Sequence, residues 1–257
     1  ADLRWTLPPL RVAVLSDLHV GAPWVSLDYV ARVVAQMNEL GADLILLAGD
    51  YLMERKLRLI SRRASPTEIA AVLSALRAPL GVHGILGNHD WKNCDKAAES
   101  DHTENAVLDA FAAEGRPLLR NASRHIAHGT PGFWLVGTDS QRAIKLGPRR
   151  YTSFLDADTA FAAVPPGALA IHLAHEPDYF ATGDPRAFLQ ISGHTHGGQV
   201  KLCGRTPKVP SIYGSRYAYG QVDENGNHLV VSAGIGYSGL PLRLGVPPEI
   251  VLITIQG

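Results

Sequence analysis

Apolar residues come along this chain in short runs, and the spacing within each run predicts an element. Leu10–Leu15 is almost continuously apolar between Pro8-Pro9 and Ser16-Asp17, the pattern of a strand buried on both faces. Val30, Val33, Val34, Met37 and Leu40 then recur at helical spacing, with Gly41 placed to end the helix. Leu44–Ala48 predicts a second buried strand closing in Gly49-Asp50. Ser65-Pro66-Thr67-Glu68 reads as a capping box with Pro at the first helical position, and Ile69, Val72, Leu73 and Leu76 give that helix its apolar face. Gly81–Leu86 predicts a third strand, ending in Gly87-Asn88-His89-Asp90. Strand, helix, strand, helix, strand implies parallel pairing.

A helix is expected over Glu104–Glu114, and a weaker one over Phe154–Ala163. The remaining runs, Trp134–Gly137, Ala168–Leu173, Phe188–Ser192, Leu229–Ser232 and Ile250–Ile255, are strand-sized and bounded by turn residues. Helices early and strands late suggest two sheets packed face to face with helices outside. No linker marks a boundary, so residues 1–257 are expected to form a single domain.

Composition narrows the classes. With 257 residues, 46% hydrophobic and 19% charged, the chain can bury a full core and does not have the make-up of a disordered protein. Lys plus Arg and Asp plus Glu are both 24, so the net formal charge is zero and a nucleic-acid partner is not expected. No apolar run reaches membrane-spanning length. The start at Ala1-Asp2 rather than Met is compatible with a removed leader or anchor. Cys94 and Cys203 allow one bridge at most.

The chemistry-bearing residues follow the strands. Asp17 and His19 come after the first, Asp50 after the second, Asn88 and His89 after the third. His175 follows Ala168–Leu173, and His194 and His196 follow Phe188–Ser192. Ligands of open α/β sheets bind at the carboxyl ends of strands. Carboxylate oxygen with neutral imidazole suits Mn, Fe, Co or Zn, and seven donors exceed what one tetrahedral ion takes. Two ions about 3.5–4 Å apart can clamp a phosphate and activate a bridging water. Asp17-x-His19 and His194-x-His196 would each bring two donors together if the backbone there is extended.

Ser16-Asp17-Leu18-His19, Gly49-Asp50, Gly87-Asn88-His89-Asp90, His175 and Gly193-His194-Thr195-His196-Gly197-Gly198-Gln199 together resemble the calcineurin-like metallophosphoesterase superfamily, in its order. Tyr213-Gly214-Ser215-Arg216-Tyr217, Gly234-Ile235-Gly236 and Pro247-Pro248-Glu249-Ile250 resemble its bacterial branch of small phosphodiesterases, which includes membrane-associated, lipid-related members. The resemblance implies a four-layer α-β-β-α sandwich of two mixed β-sheets flanked by helices. It implies two divalent ions (Mn, Fe or Zn), with Asp17, His19 and His196 on the first, Asn88, His175 and His194 on the second, and Asp50 bridging. His89 is similar to the histidine that contacts the phosphoryl group and protonates the leaving oxygen. The implied reaction is hydrolysis of a phosphodiester by a metal-bridging hydroxide. Other readings are a pyrophosphatase on a nucleotide-sugar lipid precursor, a phosphomonoesterase and a non-catalytic metal-binding scaffold. The partner expected is a small-molecule or lipid-linked phosphate ester, with peripheral membrane contact and a place in the bacterial cytoplasm or at the membrane periphery.

One motif departs from the pattern. Where some members carry an Asp that orients the motif histidine, this chain has Met53, followed by Glu54; Glu54, Asp90 or a backbone group is left for that task. His172 and His83 are expected as core histidines, and His102, His125, His128 and His228 as surface ones. Arg55, Lys56, Arg58, Arg62 and Arg63 form a basic run that is either a solvated face or a patch for an anionic substrate or membrane. Tyr213, Tyr217 and Tyr219, with Arg205 and Arg216, either frame a pocket or pack their loop onto the body.

Overall fold

The computed structural model describes residues 4–55, 61–148, 150–202 and 206–257. In chain order the elements are β1 (Leu10–Leu15), β2 (Gly21–Ala22), α1 (Leu27–Glu39), β3 (Leu44–Leu47), β4 (Arg62–Arg63), α2 (Pro66–Leu73), β5 (Val82–Gly84), and the short helices α3 (Asn88–Lys92) and α4 (Asp95–Glu99). After α5 (Ala106–Ala113) come β6 (Ala122–Ile126), β7 (Phe133–Gly137), β8 (Ile144–Gly147), β9 (Arg150–Thr152), α6 (Ala157–Phe161), β10 (Ala170–Leu173), β11 (Leu189–Ser192), β12 (Gly220–Glu224), β13 (Asn227–Val231) and β14 (Val251–Ile255).

Two mixed sheets carry the fold. The first has the order β14-β1-β3-β5, with β1, β3 and β5 parallel and β14 antiparallel at the edge. The second has the order β12-β13-β11-β10-β7-β6, a parallel centre with antiparallel β12 and β6 outside. Two-residue periodicity decides which side chains meet. Leu10, Val12, Val14, Leu44 and Leu46 join Phe133, Leu135, Ile171, Leu173, Leu189 and Ile191 in a core between the sheets. Ala13, Leu15, Ile45 and Leu47 point the other way and pack with Val30, Val34, Ile69, Leu73 and Phe111 of α1, α2 and α5. On the far side, Val136 and Ala170 pack with Ala160 and Phe161 of α6. The result is the expected α-β-β-α layering, with β1 and β3 buried on both faces.

Local chemistry sets the helix ends. Ser65 accepts from the Glu68 amide at 3.2 Å while the Glu68 carboxylate accepts from the Ser65 amide at 2.8 Å, a complete capping box worth roughly 1 kcal/mol. Gly41, at φ 60, follows α1 in the left-handed conformation that ends it. The third strand is shorter than its apolar run, closing at Gly84; Ile85 and Leu86 are buried in the turn that leads to α3. Edge strands β6, β8, β9 and β12 escaped the sequence reading because each is short and half-polar.

Candidate metal centre

β1, β3, β5, β10 and β11 all run parallel within their sheets, and the segments after their carboxyl ends converge. Asp17, His19, Asp50, Asn88, His89, His175, His194 and His196 are all buried there. Asp17, His19 and His196 form one trio whose ligand atoms all lie within 4.8 Å of one another; Asp50, His175 and His194 form a second. Asp50 belongs to both neighbourhoods. Its Oδ2 is 3.5 Å from His19 Nε2 and 3.2 Å from His175 Nε2. Its Oδ1 is taken up separately by the His89 amide at 2.7 Å. Asn88 Oδ1 reaches the second trio at 3.0 Å from His194 Nδ1. Every predicted donor is therefore in one place.

The backbone that does this is not the extended chain expected. Asp17, His19, Asp50, His194 and His196 have φ of 52°, 46°, 59°, 71° and 53°. Left-handed backbone at non-glycine residues costs of order 1–2 kcal/mol each, and such strain gathers at functional sites. The i, i+2 pairs accordingly differ: Asp17 and His19 share a trio, whereas His194 and His196 face different ones. A side chain at Gly87 would collide with the Asp50 carboxylate, and one at Gly193 with Ser16 and Asp17, so the close approach of these turns needs glycine.

Three of the four ligand imidazoles, those of His19, His175 and His194, are fixed at the remote nitrogen by a backbone carbonyl, as ligand histidines require. His19 Nδ1 bonds the Leu52 carbonyl at 3.1 Å, His175 Nδ1 the Ala48 carbonyl at 2.7 Å, and His194 Nε2 the Pro210 carbonyl at 2.9 Å. Two arginines stand behind the ligands, unsignalled by any motif. Arg142 lies 3.1 Å from His194 Nε2, and Arg243 lies 3.2 Å from His196 Nδ1. Arg243 also donates to the Gly236 and Ala233 carbonyls.

The alternatives for orienting His89 resolve clearly. Asp90 is fully occupied by backbone, accepting from the amides of Asp50, Tyr51, Leu52 and Gly87, and so shapes the Asp50 turn. Burial, then the charge of Asp50, pushes its carboxyl up to about 7. His89 is instead held by Asn93, 2.7 Å from Nδ1, and by Glu54, 3.8 Å from Nε2. Glu54 is itself fixed by Ser238 Oγ and the Gly239 amide, both at 3.0 Å. Asn93 sits one turn along α3 from His89, a spacing that could have flagged it.

Electrostatics point to cations. Burial drives the His89, His194 and His196 imidazoles well below their ordinary range, leaving neutral rings. Burial also pushes the Asp17 carboxyl up. At Asp50 burial acts in the same direction, but the charge of His175, whose ring Asp50 in turn holds well above its ordinary range, outweighs it and holds the carboxyl low. Buried carboxylates facing neutral imidazoles need positive charge between them. His175 Nε2 is buried and has no hydrogen-bond partner, an orphan donor atom aimed between the trios. The residues fit two divalent ions with N and O ligands.

Residues 10–198 match the family model for the calcineurin-like phosphoesterase. The chain belongs to that family. It is 29% identical over 251 residues to the metallophosphoesterase YkuE of Bacillus subtilis (strain 168), covering 96% of this chain and 79% of that one. It is 27% identical over 252 residues to the phosphodiesterase YaeI of Escherichia coli (strain K12), covering 96% and 82%. It is also 28% identical over 271 residues to the transmembrane protein with metallophosphoesterase domain of Bos taurus; there it covers 97% of this chain but only 54% of the longer protein.

The other singled-out residues sort by their contacts. His172 is a core histidine, its Nε2 3.0 Å from Thr138 Oγ1 and its ring edge-on to Phe161 and Tyr179. His83 is only half-buried, bonded to the Leu80 carbonyl, so the core expectation fails there: β5 is the sheet edge and leaves that face open. His125 is exposed; His102, His128 and His228 are half-buried. Cys94 is a buried free cysteine whose sulfur caps α4, accepting from the Ala97 amide; Cys203 lies outside the described residues. Of the basic run, Arg55 pairs with Asp95, Arg62 with Glu68, and Arg63 reaches the Asn93 carbonyl; Lys56 and Arg58 lie outside the described residues. Tyr217 is buried on Glu224, which Arg216 also grips, so this pair packs its loop onto the body. Tyr213 and Tyr219 stay exposed, and Arg205 lies outside the described residues.

Proposed function

We propose that this chain is a two-ion phosphodiesterase. Asp17, His19 and His196 would hold the first ion, Asn88, His175 and His194 the second, and Asp50 would serve both. The observation that carries the reading is the Asp50 carboxylate: one oxygen within 3.5 Å of both trios, the other tied to backbone. When bound, the ions supply Lewis acidity and a water made acidic enough to attack a phosphate near neutral pH. The chain's own residues do the rest. The carbonyl bonds at Leu52, Ala48 and Pro210 aim the ligand nitrogens inward. His89, held at Nδ1 by Asn93, keeps Nε2 for the substrate side, where the Glu54 carboxylate stands 3.8 Å away.

Substrate class follows from charge. A monoester dianion gains most from free cationic clamps. Arg142 and Arg243 are close, but Arg142 donates to the Pro210 carbonyl and Arg243 Nε and Nη2 donate to the Ala233 and Gly236 carbonyls, which leaves Arg243 Nη1, buried and without a hydrogen-bond partner, as all that guanidinium has to offer. Glu54 adds a carboxylate at the His89 side, which disfavours a dianion further. The name of the Escherichia coli relative, a phosphodiesterase, agrees with this choice. The test is kcat/KM for a nitrophenyl monoester and a matched diester under the same metal and pH. The diester should lead by at least about tenfold, or 1.4 kcal/mol. A monoester lead of that size would move the chain to the monoesterase reading; a lead for a nucleotide-sugar pyrophosphate over both would make it a pyrophosphatase.

A further inference from the structure

The segment Leu240-Pro241-Leu242-Arg243-Leu244 alternates in a way the metal centre does not explain. Arg243 turns inward to His196, Ala233 and Gly236. The leucines turn outward: Leu240 is 72% exposed, Leu242 53% and Leu244 48%. Leu202, 51% exposed, joins them, because the Lys201 amide bonds the Leu244 carbonyl at 2.7 Å and Val200 bridges Leu244. This leucine tip is not a loose loop. The Gln199 side chain bonds the Leu240 carbonyl and accepts from the Ser238 amide, and the Leu244 amide bonds the Gln199 carbonyl. Gln199 is three residues from His196, so the tip is pinned to the rim of the metal centre. Rigid, clustered, exposed leucines cost solubility and mark a contact site.

Charge indicates what the contact is. The whole chain balances at zero, yet no Asp or Glu occurs between Asp184 and Asp223 or between Glu224 and Glu249. Those stretches hold Arg186, Lys201, Arg205, Lys208, Arg216 and Arg243. Lys201 is exposed beside the leucines, next to Leu202 and bonded through its amide to the Leu244 carbonyl, and Lys208 is exposed as well. The one acid bonded to the tip, Glu54, is turned inward toward His89 with its side chain 13% exposed. Exposed leucines beside an exposed lysine suit a bilayer whose surface is anionic: the leucines enter the headgroup boundary and the lysine stays with the phosphates. No helix among the described residues is long and apolar enough to cross a membrane.

We infer that the face formed by Leu202, Leu240, Leu242 and Leu244 with Lys201 docks on an anionic lipid surface, bringing the metal centre to phosphate esters held there. The docking itself does not depend on the proposed diester chemistry, and it is read without turnover. Purified protein is sedimented with vesicles of phosphatidylcholine alone and with about 30 mol% phosphatidylglycerol. Binding should appear with the anionic vesicles and fall as salt rises. The variant Leu240→Ser/Leu242→Ser/Leu244→Ser should lose at least about tenfold in partitioning, and keep wild-type turnover of a soluble diester as its check on folding. The single variant Leu242→Trp should show a blue-shifted emission with the same vesicles. Equal binding of the triple variant, or no binding by the wild type, would overturn the inference. So would a leucine-dependent dimer that leaves vesicles unbound, since the tip would then belong to a second copy.

Discussion

His172 and His175 lie three residues apart, on β10 and just past its end, and both are buried. His172 is satisfied: Thr138 takes its Nε2, Phe161 and Tyr179 enclose its ring, and burial lowers it to about 4. His175 is not: its Nε2 has no hydrogen-bond partner, and although burial works against the charge, Asp50 beside it pushes the ring well above the ordinary range. A buried polar atom that the protein satisfies is structure. One left facing a carboxylate and another trio of donors awaits a ligand. The two regions should therefore answer to mutation in opposite ways.

The strongest break is Asp50→Asn. Removing the carboxylate shared by both trios should leave fewer than two ions per chain by elemental analysis. Diester turnover should fall by at least about 10³-fold, because several kcal/mol of transition-state stabilisation come with the ions. Near-normal turnover with two ions bound would take Asp50 out of that position.

His89→Ala separates chemistry from ligation within the same cluster. The variant should keep its ions and lose about 10²–10⁴-fold in rate on a diester with a poor leaving group. The loss should be smaller on a nitrophenyl leaving group, which needs no proton. Equal losses on the two would recast His89 as an electrostatic partner of the phosphoryl oxygens.

His172→Gln should leave turnover per folded molecule unchanged and cost about 1–2 kcal/mol of stability at pH 7. Its pH dependence has a definite sign. The ring sits at about 4 when folded, against 6.5 for an ordinary histidine, so the unfolded chain takes up a proton that the folded chain refuses between those limits. That contribution is fully present above pH 6.5 and is lost as pH falls toward 4, at most roughly 3 kcal/mol. Glutamine does not titrate, so the stability gap between wild type and variant should narrow between urea melts at pH 7 and pH 5. A constant gap would mean that His172 is not the neutral core histidine described.

The contrast was partly legible in the sequence. The runs at Leu10–Leu15 and Leu44–Ala48 predicted two-sided burial, and both strands pack on both faces because every second residue goes to a different core. The donors were legible because each stands directly after such a run. What stayed hidden depends on contacts between distant segments. Left-handed turns at Asp17 and His194 carry no pattern in composition. Arg142 and Arg243 reach the histidines from 52 and 47 residues away. Glu54 could only be offered beside Asp90 until the backbone amides of Asp50, Tyr51, Leu52 and Gly87 were seen to occupy Asp90.

The central claim, that one carboxylate serves two ions, is tested most directly by anomalous diffraction from crystals of the protein loaded with Mn or Zn. Two peaks about 3.5–4 Å apart should appear, one against Asp17, His19 and His196 and the other against Asn88, His175 and His194, with Asp50 touching both. A single peak, or two peaks of which only one contacts Asp50, would contradict the account.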